Sequence, residues 1–201
     1  MSRNKEQNTA IRAEKKQLIM DTALHLFAQN GFERTSIANI AKHAEISQGL
    51  VYNYFESKDD LLYQILVSGL KQFSDLIHQE MTVDEFIAKI EAAFDAMDAN
   101  RDFWKLYSII SVQPTVTQKL VEVRNEYDGM SENLTNFFTK YFGKEQVLEE
   151  LIMYSVIMKG FTLIYVFSDV QKSFPADMLK KVVINSIRER FEKFSISKSN
   201  K

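Results

Sequence analysis

Between Gly31 and Leu62 the chain reads GFERTSIANIAKHAEISQGLVYNYFESKDDLL, and amide, hydroxyl and small side chains there alternate with apolar anchors. The chemistry open to them is recognition. The Gln48 amide offers a donor and an acceptor that complement the adenine edge in a major groove, and Asn53 offers the same if it faces inward. Gly49 lets the backbone approach a surface closely. Val51 and Phe55 are spaced to face a core, with Leu50 between faces. That arrangement leaves Gln48, Gly49, Tyr52 and Asn53 outward. Each neighbour also has a plainer role: Thr35 and Ser36 as helix caps, Tyr54 as packing, Lys58 as a solvated charge. Gly49 alone would be a helix flaw costing about 1 kcal/mol.

Catalytic chemistry finds little to work with. The three histidines, at 25, 43 and 78, lie far apart, and cysteine is absent. His25 and His43 suit local hydrogen bonding better than ligation. No HExxH pattern, phosphate loop or cofactor motif occurs, so the expectation is no enzyme, no metal and no cofactor. The formal net charge of -2 argues weakly against a nucleic-acid partner. Its distribution argues the other way: residues 1–58 hold 8 Lys/Arg against 6 Asp/Glu, and residues 59–201 hold 17 against 21. A mildly basic end sits on an acidic body.

The elements that must position these residues are helices. Glycine (6) and proline (2) are scarce among 201 residues, and no strand pair or repeat is visible. Residues 1–12, polar and aperiodic, read as a flexible arm. A helix is predicted from Ala13 to Gln29, with Ile19, Ala23, Leu26 and Phe27 as its stripe and Asn30-Gly31 as its stop. A short helix capped by Thr35 or Ser36 buries Ile37, Ile40 and Ala41. Another, capped by Ser47, spans QGLVYNYF. Ser57 and Asp60 open a fourth helix that runs to about His78, and Thr82 and Glu85 open a fifth as a capping box. A shorter segment, DFWKLYSIISV, stops before Pro114. Residues 115–142 read as one helix or a broken pair ended by Gly143. The helix at 145–168 is apolar on several faces, and Pro175 starts the last one. Ser155, Lys159, Gly160 and Thr162 make the former look too short and too polar for a membrane span. No signal segment is visible, so the expected location is the cytoplasm, without a membrane.

The 31–62 segment resembles the DNA-binding signature of the TetR family of bacterial transcriptional regulators. Gly31-Phe32, Thr35-Ser36-Ile37, Ile40-Ala41, Ala44, Ile46-Ser47, Gly49, Val51-Tyr52, Tyr54-Phe55, Ser57-Lys58 and Leu61-Leu62 fall in register with it. The resemblance implies phosphate contacts from Thr35, Ser36 and Lys58. It implies contacts to backbone or thymine methyls from Tyr52 and Tyr54. It departs from the family at Glu45, where the turn usually holds glycine, and at Leu50, where a small hydroxyl residue is common.

The same resemblance implies an all-α fold in which an N-terminal three-helix helix-turn-helix domain joins a C-terminal helical ligand-binding and dimerisation domain. The expected boundaries are 1–12 for the arm, 13–56 for the DNA-binding domain, 57–195 for the body and 196–201 for a polar tail. The expected partners are a second copy and palindromic double-stranded operator DNA. A homodimer interface is expected at Leu151, Tyr154, Met158, Phe161, Tyr165, Val183 and Ile187. Met97, Phe103, Trp104, Tyr107, Ile110, Tyr127, Met130 and Phe137 are candidates to line a pocket for a small, partly apolar effector. Most of these could equally be core, and for any one of them core is the better reading. The function expected is a ligand-responsive repressor. The alternatives are a helical protein-interaction module with weak or no DNA binding and, behind it, an enzyme.

Overall fold

The computed structural model describes residues 2–74, 80–113, 128–167 and 174–199, and among them every regular element is a helix. In chain order they are α1 (Ser2–Asn30), α2 (Ile37–His43), α3 (Gln48–Tyr52), α4 (Lys58–Ser74), α5 (Val83–Ala99), α6 (Arg101–Ile110), α7 (Asp128–Phe142), α8 (Val147–Phe167) and α9 (Ala176–Ser199). The all-α architecture is the one expected.

Start and stop chemistry sets most of the boundaries. Gly31 (φ 85) and Gly143 (φ 80) end α1 and α7 in the left-handed region, where a Cβ would be strained. At α5 the Thr82 side chain accepts from the Glu85 backbone N–H at 3.2 Å, and the Glu85 carboxylate accepts from the Thr82 N–H at 2.7 Å. That reciprocal bond holds the Glu85 pKa below the ordinary carboxylate value. At α4 the Ser57 hydroxyl caps Asp60 at 3.0 Å, while the Asp60 carboxylate reaches the Glu56 N–H at 2.9 Å.

Two expectations at the ends are corrected. Residues 2–12 continue α1 and are not an unstructured arm, and α9 runs on through the expected tail to Ser199. Neither segment has an apolar stripe, so periodicity gave no signal. Both lack glycine and proline, and residues 2–12 are rich in good helix formers, so nothing stops a helix propagating from its packed neighbour.

The packed half of α1 lies against α4, α6 and α2. Ile19, Ala23, Leu26 and Phe27 are buried there as their spacing predicts. Phe27 meets Phe32 edge-on, ring centroids 5.1 Å apart. A contact of a different kind ties this helix to the body: His25 Nδ1 and the Asp102 carboxylate of α6 are 2.8 Å apart. Gly69 brings α4 very near α6, since a Cβ there would lie 2.0 Å from the buried Phe103 ring.

The body has two centres. In one, Phe86, Phe137, Phe138, Tyr141, Phe142, Tyr154, Phe191 and Phe194 pack ring on ring, with Phe86 and Phe137 centroids 4.6 Å apart. Burial pushes the Tyr154 phenol up to about 12. In the other, Phe94 meets Phe161 at 4.1 Å. The Tyr165 hydroxyl beside it donates to the Asp98 carboxylate, which also accepts from Lys180 at 3.3 Å. Burial first, then that hydrogen bond, raises the Tyr165 pKa. At the start of α8 the buried Glu150 receives two hydrogen bonds from Arg190, each 2.6 Å long.

At 21 residues α8 is long and apolar enough to cross a membrane by length and composition alone, so it is not too short for one as the sequence suggested. It packs instead on α6, α7 and α9. Its inner face carries Phe161, Tyr165 and Val166 into the core. Leu148, Ile152, Val156, Leu163, Ile164 and Phe167 remain exposed on the other side.

Candidate nucleic-acid interface

The surface around α3 is built by two short helices and the turn between them. Ser36, extended at φ -102 and ψ 156, caps α2 by accepting from the Asn39 N–H at 3.1 Å. Ile37, Ile40 and Ala41 bury the inner side of α2. Ile46 N–H returns to the Ala41 carbonyl at 3.0 Å and closes the turn. Ser47 then caps α3 through the Leu50 N–H at 3.2 Å. Helical hydrogen bonding continues past Tyr52, with Phe55 N–H to the Val51 carbonyl at 3.1 Å. The α-helix is nevertheless three residues shorter than the QGLVYNYF expected.

Val51 and Phe55 are fully buried and Leu50 is half-buried, as their spacing predicts. Gln48, Gly49, Tyr52 and Asn53 are exposed together on the outer side. A Cβ at Gly49 would meet nothing in this chain. Ser36 is exposed too. Tyr54 is half-buried, with the Arg12 guanidinium 5.6 Å from its ring centroid.

Thr35 and Lys58 differ from expectation. Thr35 is only 2% exposed, and its hydroxyl donates to the Gly31 carbonyl at 2.9 Å. Its side chain holds the turn after α1, so the plainer reading as a structural residue replaces the phosphate contact expected of it. The Lys58 ammonium sits 4.3 Å from the Phe32 ring centroid and donates to the Phe32 carbonyl at 2.8 Å. An ammonium has three donors, so two remain for another acceptor.

Glu45 occupies the left-handed region at φ 54, and it is the only described non-glycine residue to do so. The strain costs about 1–2 kcal/mol for an L residue. Glu45→Gly should therefore stabilise the fold. Glycine's greater freedom in the unfolded chain takes back part of the gain, leaving roughly 0.5–1 kcal/mol. Urea unfolding should show a higher midpoint at unchanged slope, and Glu45→Ala, which keeps a Cβ, should show no such gain. An unchanged midpoint for Glu45→Gly would mean that the turn bears no strain.

The sequence profile described as "Bacterial regulatory proteins, tetR family" matches residues 19–65, the span that holds α2, the turn, α3 and the start of α4. Over these residues the chain is similar to that family. The chain is also similar to an uncharacterized HTH-type transcriptional regulator, YuxN, of Bacillus subtilis. Identity to it is 53% over 53 residues, covering 26% of this chain and 18% of that protein. The HTH-type regulator LuxR of Vibrio harveyi is 33% identical over 95 residues, 45% of this chain and 46% of that protein. The chain thus spans less than half the length of these curated relatives. The fold likeness extends further. The regulator FadR from Bacillus subtilis, solved in complex with stearoyl-CoA, superposes with a TM-score of 0.67 at 19% identity, covering 87% of this chain and 96% of that one.

The candidate effector and dimer residues fall mostly inside the protomer. Met97, Phe103, Trp104, Ile110 and Phe137 are buried core, and Tyr107 is half-buried against Phe103 and Trp104. Tyr127 and the Met130 side chain lie outside the described residues. Among the proposed interface residues, Phe161, Tyr165, Val183 and Ile187 are buried in the protomer's own core, and Leu151, Tyr154 and Met158 are half-buried against it. They are the inner face of α8 and α9, and the apolar residues that stay exposed are those on the outer face. Sequence reasoning missed Arg12 and Lys16, which lie beside Tyr54 and Phe55. Their four-residue spacing was a signal, hidden because Arg12 fell in the segment read as an arm and Lys16 in the helix after it.

Proposed function

We propose that the chain is a sequence-specific DNA-binding transcriptional regulator that acts as a homodimer on a palindromic operator. The observation that carries this reading is the exposed group Gln48, Gly49, Tyr52 and Asn53, held on a doubly capped helix-turn-helix within the family-matched span. Residues 13–56 form the DNA-reading domain, extended by the helical residues before them, and residues from 57 onward form the regulatory body. Ser36, Tyr54 and Lys58 flank the reading surface and suit phosphate contacts. Two heads about 34 Å apart would enter successive major grooves, so an interface between copies is needed. The exposed apolar residues of α8, with Met178 and Val182 of α9, suit that interface. A Cβ at Gly160 would meet nothing within the protomer, which leaves room for a crossing helix.

Regulation is by a small, partly apolar effector, and the direction is repression relieved by binding. Support comes from the fold shared with FadR, whose bound ligand is stearoyl-CoA. The candidate lining residues pack on one another, so an effector entering there must displace aromatic side chains. Ligand and operator would then weaken each other's binding by one common factor. The location that fits this function is the cytoplasm.

Titration of wild type, Gln48→Ala and Lys58→Ala against a duplex enriched from a randomised library, and against a scrambled one, tests the reading. Gln48→Ala should relax the preference at one half-site position by about 1–3 kcal/mol. Lys58→Ala should weaken both duplexes alike and reduce the salt slope by roughly 1. A wild type that enriches no sequence removes the proposal.

A further inference from the structure

We propose that the cavity between α1, α4 and α6 binds a small alkylammonium ion, and that the DNA-reading head senses its occupancy. The site goes beyond the effector reading above, in which a ligand displaces aromatic side chains of the body. Its coupling to the head rests on the DNA-binding reading. The cavity measures about 90 Å³. An apolar cavity of about 150 Å³ holds benzene, so this one has room for about four heavy atoms. Gln17, Asp21 and Ser68 on its rim are exposed, so a longer chain can leave through that side.

The chemistry of the lining chooses the ligand. Its polar members are Gln17, Asp21, Ser68 and Asn100, and its charge is the Asp21 carboxylate. The Gln17 amide donates to Asp21 at 2.8 Å, and the Asn100 amide donates to the Ala96 carbonyl at 3.4 Å. Both side-chain amide oxygens are then left as acceptors, beside the second Asp21 oxygen and the Ser68 hydroxyl. Among the described residues no cation pairs with Asp21. His25, one turn along α1, is held by Asp102 at 2.8 Å. A lining rich in acceptors with a negative charge repels an anion and suits a cation with three N–H donors. Met20, Leu24, Ile65 and Phe103 form the apolar walls, and all but Leu24 are buried, so a short alkyl chain fits behind the ammonium.

Position gives the consequence. Helix α1 packs on both α4 and α6. Gly69 brings α4 so close to the Phe103 ring that these two helices have no slack at the cavity, and an occupant bears on α1 instead. Helix α1 belongs to the head and α6 to the body. A ligand that fits one α1–α6 separation better than another shifts operator affinity, and the operator shifts ligand affinity by the same factor.

The test uses the whole chain with carbon-13 in its methionine methyls, and three probes: n-propylammonium, n-propanol and propionate. Met20→Leu assigns the Met20 signal. n-Propylammonium chloride should shift that signal saturably, against equal sodium chloride, with a midpoint on the order of a few millimolar. n-Propanol should bind roughly tenfold more weakly, and propionate should not bind. Asp21→Asn keeps the side-chain shape and should weaken the cation alone by roughly tenfold. No saturable shift, equal shifts from all three probes, or a cation shift that survives Asp21→Asn overturns the site and leaves a gap filled by water. A second arm titrates the enriched duplex at saturating n-propylammonium chloride, against the same sodium chloride so that counterion release cancels. Operator affinity should change about fivefold or more for wild type and not for Asp21→Asn. Affinity that holds steady while the Met20 signal shifts overturns the coupling. A wild type that takes up the cation but enriches no duplex removes the DNA-binding reading and leaves the site standing.

Discussion

Arg190→Ala is expected to lower the thermal midpoint by roughly 6–12 °C, from a loss of about 3 kcal/mol at 2–4 °C for each kcal/mol in a chain of this size. The cause is the carboxylate left behind. Glu150 is 3% exposed, and both its oxygens accept from Arg190, one from Nε and one from Nη2. Phe138, Phe142, Tyr154, Ile157, Ile187 and Phe191 surround the pair. None of the aliphatic or phenylalanine side chains there can replace the lost donors. Breaking a buried pair from one side generally costs about 3–5 kcal/mol. Arg190 is 34% exposed along its side chain, so water can follow it in, and the lower figure applies. The hydrogen bonds to Glu150 raise the Arg190 pKa further above its already high value, so the cation is permanent at any pH the fold tolerates. Arg190→Lys should recover only part of the loss, because an ammonium cannot make the two-pronged contact. Glu150→Leu/Arg190→Met should recover most of it by removing both charges together. Calorimetry on the four proteins separates the loss of one partner from the loss of both. If Arg190→Ala melts with wild type, the pair is a surface contact and this account of the α8–α9 junction is wrong.

What the sequence could and could not reveal follows from where each signal was written. Cap and turn chemistry was legible at many boundaries. Asn30-Gly31, Ser36, Ser47, Thr82 with Glu85, Gly143 and Pro175 each mark a boundary within a residue or two of the observed one. Single-sided helices were legible too: Phe86, Ile87, Ile90, Phe94 and Met97 repeat at helical spacing, and all are buried. Helix α8 was not, because an apolar residue stands on nearly every side of it. Hydrophobicity then cannot say which side meets this protomer and which a partner. Tyr154 and Phe161 were equally good candidates for either, and tertiary packing took both inward. Thr35 failed for another reason. Its hydroxyl has the same donor whether it meets a phosphate or the Gly31 carbonyl, and only the fold shows that the carbonyl is nearer. Glu45 was legible as a departure, but not its left-handed backbone, which depends on the α2–α3 crossing. The Glu150–Arg190 pair joins residues 40 apart, and no spacing rule links them.

Val156→Glu is expected to turn a dimer into a monomer without unfolding the protomer. Val156 is 60% exposed, and Leu148, Ile152 and Leu163 extend the same four-to-three-residue stripe along α8. Across from it in sequence, Phe174, Met178 and Val182 continue an apolar stripe onto α9, Met178 being 61% exposed. Exposed leucine singly is ordinary, but two adjoining stripes on paired helices form a patch that a solitary protein rarely leaves open. A symmetric pair presents the same patch twice, so one substitution inserts two carboxylates. At about 3 kcal/mol for each unpaired charge taken from water, the penalty is about 6 kcal/mol, or roughly four orders of magnitude in dissociation constant. Sedimentation at low micromolar concentration should find twice the 23.4 kDa chain mass for wild type and the single mass for the variant. The inner face supplies the control. Phe161 is 2% exposed and stacks on Phe94, so Phe161→Ala should lower the melting temperature as a core truncation does, by about 3–5 kcal/mol of stability, through the protomer itself. If the two variants exchange these behaviours, the inner and outer faces have been assigned the wrong way round. If Val156→Glu sediments as wild type does, the interface lies elsewhere. In a true monomer the heads are no longer linked, so preference for a palindrome over a single half-site should vanish while weak, salt-sensitive binding persists.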